Sequence, residues 1–306
     1  MADLTTTAAS KLASTTKTVP MWEGITPRWL LQLLPWVQVK AGIYRINQVS
    51  DPAEATQGHS EGTTLPESSV AYAEEPREIH LSAVQTTLKV HTRIPDLYSA
   101  PHDQLNEQIR LTVAQIKERK ERAVLSDPTF GLLNAAAPQQ RIQARTGPPT
   151  PDDLDDLLSL VWKWPGFFLA HPRAIAAFGK ECNSRGIALE SVEMFGVPFV
   201  SWRGVPLVPS NKLPIDEGYG RARRSKAKPE EAVGSGTSIL LLRIGEEQQG
   251  VVGLHQAGLG TEGLQSLSIR KMGIDQEGLE WYLITCYFAV AVLTDDALAV
   301  LEKVRV

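Results

Sequence analysis

A chain of 306 residues, 42% of them hydrophobic and 22% charged, is long enough for one large domain or two smaller ones with real cores. Its formal charge of −4 argues against nucleic acid as the main partner. The two cysteines, Cys182 and Cys286, lie far apart and make neither a disulfide framework nor a metal motif, so they are expected as buried thiols of a reducing compartment.

The start is a polar arm. Residues 1–16 carry Asp3 and Lys11 among Thr, Ala and Ser, without the apolar run of a secretory signal. Between Lys17 and Asn47 the composition changes: three of the seven tryptophans, Trp22, Trp29 and Trp36, sit there with Leu30, Leu31, Leu33 and Leu34. Neither flank can build a core around this segment, so it must bury itself on the rest of the chain or on a neighbouring subunit. Burying Trp22, Trp29, Leu30, Leu33, Leu34 and Trp36 would release on the order of 10 kcal/mol gross, before ordering entropy is subtracted. Thr26-Pro27 has the form of an N-cap and first helical residue, predicting a helix over Pro27–Leu34 that stops at Pro35. Val37–Val49 and Ile79–Ile94 alternate as strands, the first bent at Gly42. The polar stretch between them predicts a projecting two-stranded loop.

The strongest helical signal spans His102–Leu125, with Leu105, Ile109, Val113 and Ile116 on one face and Lys, Arg and Glu on the others. At ~1.5 Å per residue it makes a spine of roughly 35 Å, ended by Asp127-Pro128. Residues 134–151, with Pro138, Pro148, Pro149 and Pro151, have the composition of a linker. Thr150-Pro151-Asp152-Asp153 then caps a helix with Leu154, Leu157, Leu158, Val161 and Trp162 on one face. A further helix is predicted from Pro172 to about Ser184, stopped by Gly186. From there the chain is strand-rich: FGVPFVSW, VPLVP, SILLLRIG, GVVGLHQ, SLSIRKMG and WYLITCYFAVAVL. The longest uncharged run, Trp281–Thr294, is shorter than the roughly 20 residues a membrane helix needs, so no membrane span is expected.

Motifs that carry chemistry are few. Gly258–Gly263 spells G-x-G-x-x-G, but an alternating, strand-like segment follows where a dinucleotide site requires a helix, which favours an ordinary loop. Asp152, Asp153, Asp155 and Asp156 suggest a cation site, yet they occupy a helix's first turn, where carboxylates complement the dipole. His255, alone in an apolar run, is read as a core or interface histidine. Arg221, Arg223, Arg224, Lys226 and Lys228 form a basic run, read as a solvated loop between two strands. No nucleophile–base pair, C-x-x-C or P-loop is present.

The order of elements, and the segments TTKTVP (15–20), ITPRWLLQLLPWVQVKAGIYRIN (25–47), SAPHDQLNEQIRLTVAQIKER (99–119), GVPLVPSNKLPI (204–215), SILLLRIGEEQQGVVGLHQAG (238–258), SLSIRKMGID (266–275) and YFAVAVLTDDALAVLE (287–302), resemble the family 2A encapsulin shell proteins. Some members of that family are called major membrane protein I. The resemblance implies an α+β fold of the Hong Kong 97-type phage major capsid. It implies an N-arm over residues 1–42, an elongated E-loop with its flanking strands over 43–92, a P-domain with the spine helix over 93–150, an A-domain over 151–267, and a returning P-domain strand with the C-terminus over 268–306. It further implies a cytoplasmic shell of sixty subunits with icosahedral symmetry, no catalytic residue, and neither cofactor nor metal on this chain. The cargo would be a pyridoxal-phosphate cysteine desulfurase, the cofactor belonging to the cargo, and the role would be sulfur metabolism or storage. By the same analogy the turn Asn183, Ser184, Arg185, Gly186, Ile187, Ala188 and Leu189 would line a fivefold pore. Residues 216–237 are longer and more basic than the family pattern, so no role is carried onto them. The competing expectations are a prophage-derived capsid protein that packages DNA, and a soluble enzyme using Gly258–Gly263 for a nucleotide.

Overall fold

Phe167–Ala170, Ile239–Leu242 and Ala289–Val292 are apolar at every position, a pattern that suits strands covered on both faces. The computed structural model describes residues 26–40, 42–51, 69–91, 104–145, 147–216, 235–256, 267–276 and 279–306, and meets this demand with two sheets that share a core.

The first strands are β1 (Trp36–Val39), β2 (Ile43–Ile46), β3 (Val49–Asp51), β4 (Ala71–Tyr72), β5 (Arg77–His80) and β6 (Ser82–His91). β2 pairs with β5 and β3 with β4, both antiparallel, which makes the expected two-stranded ribbon; its polar tip, residues 52–68, lies outside the described residues. Gly42 turns β1 into β2 at φ +73°, a conformation that favours glycine. A short helix, α1 (Trp29–Leu33), precedes β1, and the spine helix α2 (Gln104–Ser126) follows β6. Ile116, Val124 and Leu125 are fully covered on α2, while Leu105 and Ile109 are half-buried, so the spine sinks into the core along its length.

After α2 come α3 (Leu132–Ala135), β7 (Arg141–Gln143), α4 (Pro151–Leu160), β8 (Phe167–Ala170), α5 (Pro172–Ser184), β9 (Glu190–Met194), β10 (Val197–Trp202), β11 (Val205–Pro209), β12 (Gly236–Leu242), β13 (Val251–Gln256), β14 (Leu267–Ile274), β15 (Leu279–Val292) and β16 (Leu298–Arg305). Among the described residues, seven strands form one sheet in the order β7-β16-β12-β8-β11-β10-β9. Its strands alternate between two cores. Phe167, Leu169, Leu240, Leu242, Leu298 and Val300 face the core shared with α1, α2 and the second sheet, while Phe168, Ala170, Ile239, Leu241, Ala299 and Leu301 face a core closed by α4 and α5. The second sheet is built on β15. β6 takes one edge over ten register pairs, and β14 and β13 share the other end to end, with β1 parallel outside β13.

Both later helices start where local signals place them, and α5 also stops there. Thr150 and Asp153 form a reciprocal capping box at α4. α5 runs over Pro172–Ser184, and Gly186 follows it at φ +70°. His171 caps α5, its Nδ1 accepting the Arg173 N–H at 3.1 Å.

Four expectations need correction. Thr26 does not cap α1; Arg28 occupies that position in the left-handed region, and the helix covers Trp29–Leu33 only. The expected linker 134–151 contains β7, which adds parallel to β16. β8 and β9 join the seven-stranded sheet although neither was expected from the sequence. α4 ends at Leu160, short of Trp162, which the sequence places on its apolar face. β13 pairs with β15 in the second sheet and β16 with β12 in the first, because strands buried on both faces carry no mark of which sheet they join.

Candidate functional site

The described part of the apolar arm packs on its own chain. Leu30 and Leu34 are fully covered by the spine and the two sheets, and Trp29, Leu31, Leu33 and Trp36 are partly covered beside them. Of the residues expected to clasp a neighbouring subunit, Leu30 and Leu34 therefore keep no surface to give. Trp29, Leu33 and Trp36 keep some, and Trp22 lies outside the described residues.

What holds α1 is a buried ionic junction. Lys212, in the segment after β11, extends Nζ between two spine carboxylates, 2.7 Å from Glu118 Oε2 and 2.8 Å from Glu121 Oε2. Nζ also donates to the Thr26 hydroxyl. Glu118 accepts the Thr26 N–H at 2.9 Å and Arg28 Nη1 at 3.1 Å. Glu121 accepts the Leu30 N–H at 3.2 Å, so the spine supplies the cap that α1 lacks in its own sequence. The side chains of Lys212 and Glu121 are only 4% and 2% exposed, so neither ion can turn to water. Burial pushes the Glu118 carboxyl up, but hydrogen bonds from Lys212 and Thr26 outweigh it and hold the group below the usual carboxylate range. Sequence reasoning placed these glutamates on the polar face of the spine. The available signal was Glu118 and Glu121 stacked at i, i+3 opposite a lone lysine among prolines and apolar residues.

Two aromatic contacts complete the junction. Trp29 stacks on Phe195 at 5.8 Å and meets Phe199 edge-on at 5.2 Å, which ties α1 to the β9–β10 hairpin. Trp36 lies flat over β13, where a Cβ on Gly253 would come within 2.6 Å of its ring. Its indole N–H donates to the Leu31 carbonyl at 3.0 Å. Lys120 Nζ stands 3.6 Å from the ring centroid. Burial lowers the Lys120 pKa to about 8, with a smaller opposing contribution from the Cys286 thiol.

The other singled-out residues are spent on structure or lie outside the described part. Asp152 pairs with Arg185, Asp153 closes the capping box, Asp155 accepts Trp202 Nε1 at 2.7 Å, and Asp156 pairs with Arg145. Among the described residues no group of acidic, histidine or cysteine side chains is placed to hold a metal. His255 is buried in β13, and Cys182 and Cys286 are buried free thiols. Gly258–Gly263 and the basic run Arg221–Lys228 lie outside the described residues. The turn Asn183–Leu189 is largely exposed, and Arg185 braces it through Asp152 at 3.1 Å and Glu181 at 2.8 Å.

Lys212→Met takes the ammonium from buried Glu121 and leaves Glu118 with Arg28, and is expected to cost about 3–5 kcal/mol of stability. Adding Glu118→Gln and Glu121→Gln to it should restore most of that loss, measured by chemical denaturation. Because Glu118 titrates lower in the folded chain, its contribution is complete above the unfolded carboxylate pKa and is lost as pH falls through the folded one; Glu118→Gln should flatten that acid limb. Lys120 works in the opposite sense. Its folded pKa of about 8 lies below 10.5, so the unfolded chain holds the extra proton between those values and stability rises with pH there. Lys120→Met should abolish that rise in thermal unfolding.

The comparisons with known proteins bear on the whole chain. A family model described as the SrpI-like type 2A encapsulin shell protein matches residues 45–306. Type 2A encapsulin shell protein SrpI of Synechococcus elongatus is 53% identical over 301 residues, covering 98% of this chain and 93% of the relative. A type 2A encapsulin shell protein of Mycobacterium leprae is 49% identical over 303 residues, with the same coverage of both chains. The holo-SrpI encapsulin complex of Synechococcus elongatus PCC 7942, solved by cryo-electron microscopy, superposes with a TM-score of 0.80 at 50% identity over 99% of this chain and 97% of that one. The capsid of a native GTA particle shares the fold alone, at a TM-score of 0.59, 12% identity and 94% coverage of both chains. The fold is of the Hong Kong 97 capsid type, and the chain belongs to the type 2A encapsulin shell protein family.

Proposed function

We propose that the chain closes into an icosahedral shell of sixty copies around a pyridoxal-phosphate cysteine desulfurase, serving sulfur metabolism or storage. The observation that supports the closed shell is the match to the holo-SrpI encapsulin complex across nearly all of both chains. The cargo reading rests on the family resemblance. In this reading the shell protein itself holds no catalytic group or cofactor, and pyridoxal phosphate travels with the cargo. Compatible with that division, every charged residue of the buried junction is committed to a protein partner.

The turn Asn183–Leu189 is proposed to line the opening at the fivefold axes. Gly186 gives it a tight reversal, and the brace of Arg185 on Asp152 and Glu181 would fix the width of such an opening.

Light scattering on native particles should give about 2 MDa, sixty times the 33.5 kDa chain. A particle of roughly 30–150 kDa would sink the shell reading. Mass spectrometry of what co-purifies should find a cysteine desulfurase, with pyridoxal phosphate visible by absorbance; full shells containing another enzyme would overturn the cargo assignment. Arg185→Trp with Glu190→Trp should slow entry of a small thiol probe into intact particles, and an unchanged entry rate would remove this turn from the pore.

A further inference from the structure

Two indoles stand in water on a firmly held loop. Trp162 and Trp164 are 70% and 69% exposed, in the turn between α4 and β8. Lys163 between them pairs with Asp296 at 2.8 Å, and the Gly166 N–H donates to the Leu242 carbonyl at 2.8 Å. Asp296 is in turn gripped by Arg243, a fully buried guanidinium at the end of β12, at 2.6 and 3.1 Å. Arg243 also donates to the Thr294 hydroxyl and the Gln249 carbonyl. One buried cation thus gathers three turns, 162–166, 245–250 and 293–297, at one end of the seven-stranded sheet. Their exposed side chains include the two indoles and the carboxylates Glu246, Glu247 and Asp295, beside Lys163, Gln248 and Gln249; Glu246 also accepts the Tyr44 hydroxyl.

Aromatic faces beside carboxylates suit a cationic chain, because guanidinium and ammonium groups bind both. This protein carries such a chain: Arg221, Arg223, Arg224, Lys226 and Lys228 fall within eight residues. The segment leaves and re-enters the fold at Asp216 and Gly236, which pair with each other through backbone hydrogen bonds of 2.7 and 2.9 Å. Gly236 begins β12, whereas the aromatic patch adjoins Leu242 at its end, about 20 Å away along the strand. The points where the cationic segment leaves and re-enters the fold therefore lie at the opposite end of the sheet from the acidic aromatic patch. Reaching its own patch would require both halves of the segment to run extended alongside β12. A copy placed head to tail needs no such path, and head-to-tail contacts are those that close rings.

We propose that the patch formed by Trp162, Trp164, Glu246, Glu247 and Asp295 receives the cationic segment Arg221–Lys228 of an adjoining copy. The inference rests on the shell reading above. Copies carrying Trp164→Cys and copies carrying Lys226→Cys, co-expressed and mildly oxidised, should give disulfide-linked dimers of the two kinds within particles of normal mass. Cys182 and Cys286 are buried and give no background. Linkage only within single chains carrying both substitutions, or none, in normal particles overturns the docking and spares the shell; wild-type particles far below shell mass overturn the shell reading itself. Independently, a labelled peptide spanning residues 217–234 should bind shells whose five cations are replaced by Ser, more weakly as salt rises. It should bind about tenfold more weakly once Trp162 and Trp164 are both Ala. No binding, or binding indifferent to those two tryptophans, also overturns the proposal.

Discussion

A lysine buried between two carboxylates is costly unless every lone pair and proton finds a partner. Lys212 meets that condition by drawing on three distant parts of the chain: the spine gives Glu118 and Glu121, the arm gives Thr26 and the N–H of Leu30, and the segment after β11 gives the ammonium. The arm helix has five residues and no side-chain cap of its own, too little to persist alone. It exists because the junction fixes its first turn while Leu30 and Leu34 fill the gap below. The order of causes runs from a tertiary ion cluster to a local helix, and the position of β1 on the edge of the second sheet follows.

The two sheets depend on this junction in different ways. The seven-stranded sheet has an apolar covering on both faces and needs the arm only at one of them. The second sheet relies on the arm for its outermost strand: β1 pairs with β13 through Trp36 opposite Gly253, and the same indole rests under Lys120 of the spine. A change at Gly253 would thus be felt through that ring in the charge environment of the spine helix.

What could be read from the sequence divides by the distance between cause and effect. α4 and α5 were legible because Thr150, Pro172 and Gly186 act within four residues of the ends they set. The spine was legible from its own periodicity, and the ribbon from two alternating runs around a polar stretch. The cap of α1 was not, because the carboxylates that provide it lie about ninety residues away. For the same reason the arm's own sequence leaves open whether it buries itself on this chain or on a neighbour; Leu30 and Leu34 enter a core made with strands from the far half of the chain. The exchange of β13 and β16 between sheets was illegible for another cause: Val251–Leu254 and Leu298–Leu301 are uniformly apolar, and uniform strands fit either sheet. The exposed pair Trp162 and Trp164 was not legible because the apolar spacing of α4 runs on past its end at Leu160, onto Trp162.

The ribbon of β2 and β5 enters the body along β6, directly after β5, and β6 is joined to β15 over its full length by ten antiparallel register pairs. A pull on the ribbon from outside is therefore carried along the strand axis, and all of those rungs share it in shear before any one can open. Peeling from an end would load them singly. β15 passes the strain on to both β13 and β14 on its other edge. The fold thus contains a mechanical tie, a tension member that runs from the ribbon to the middle of the second sheet.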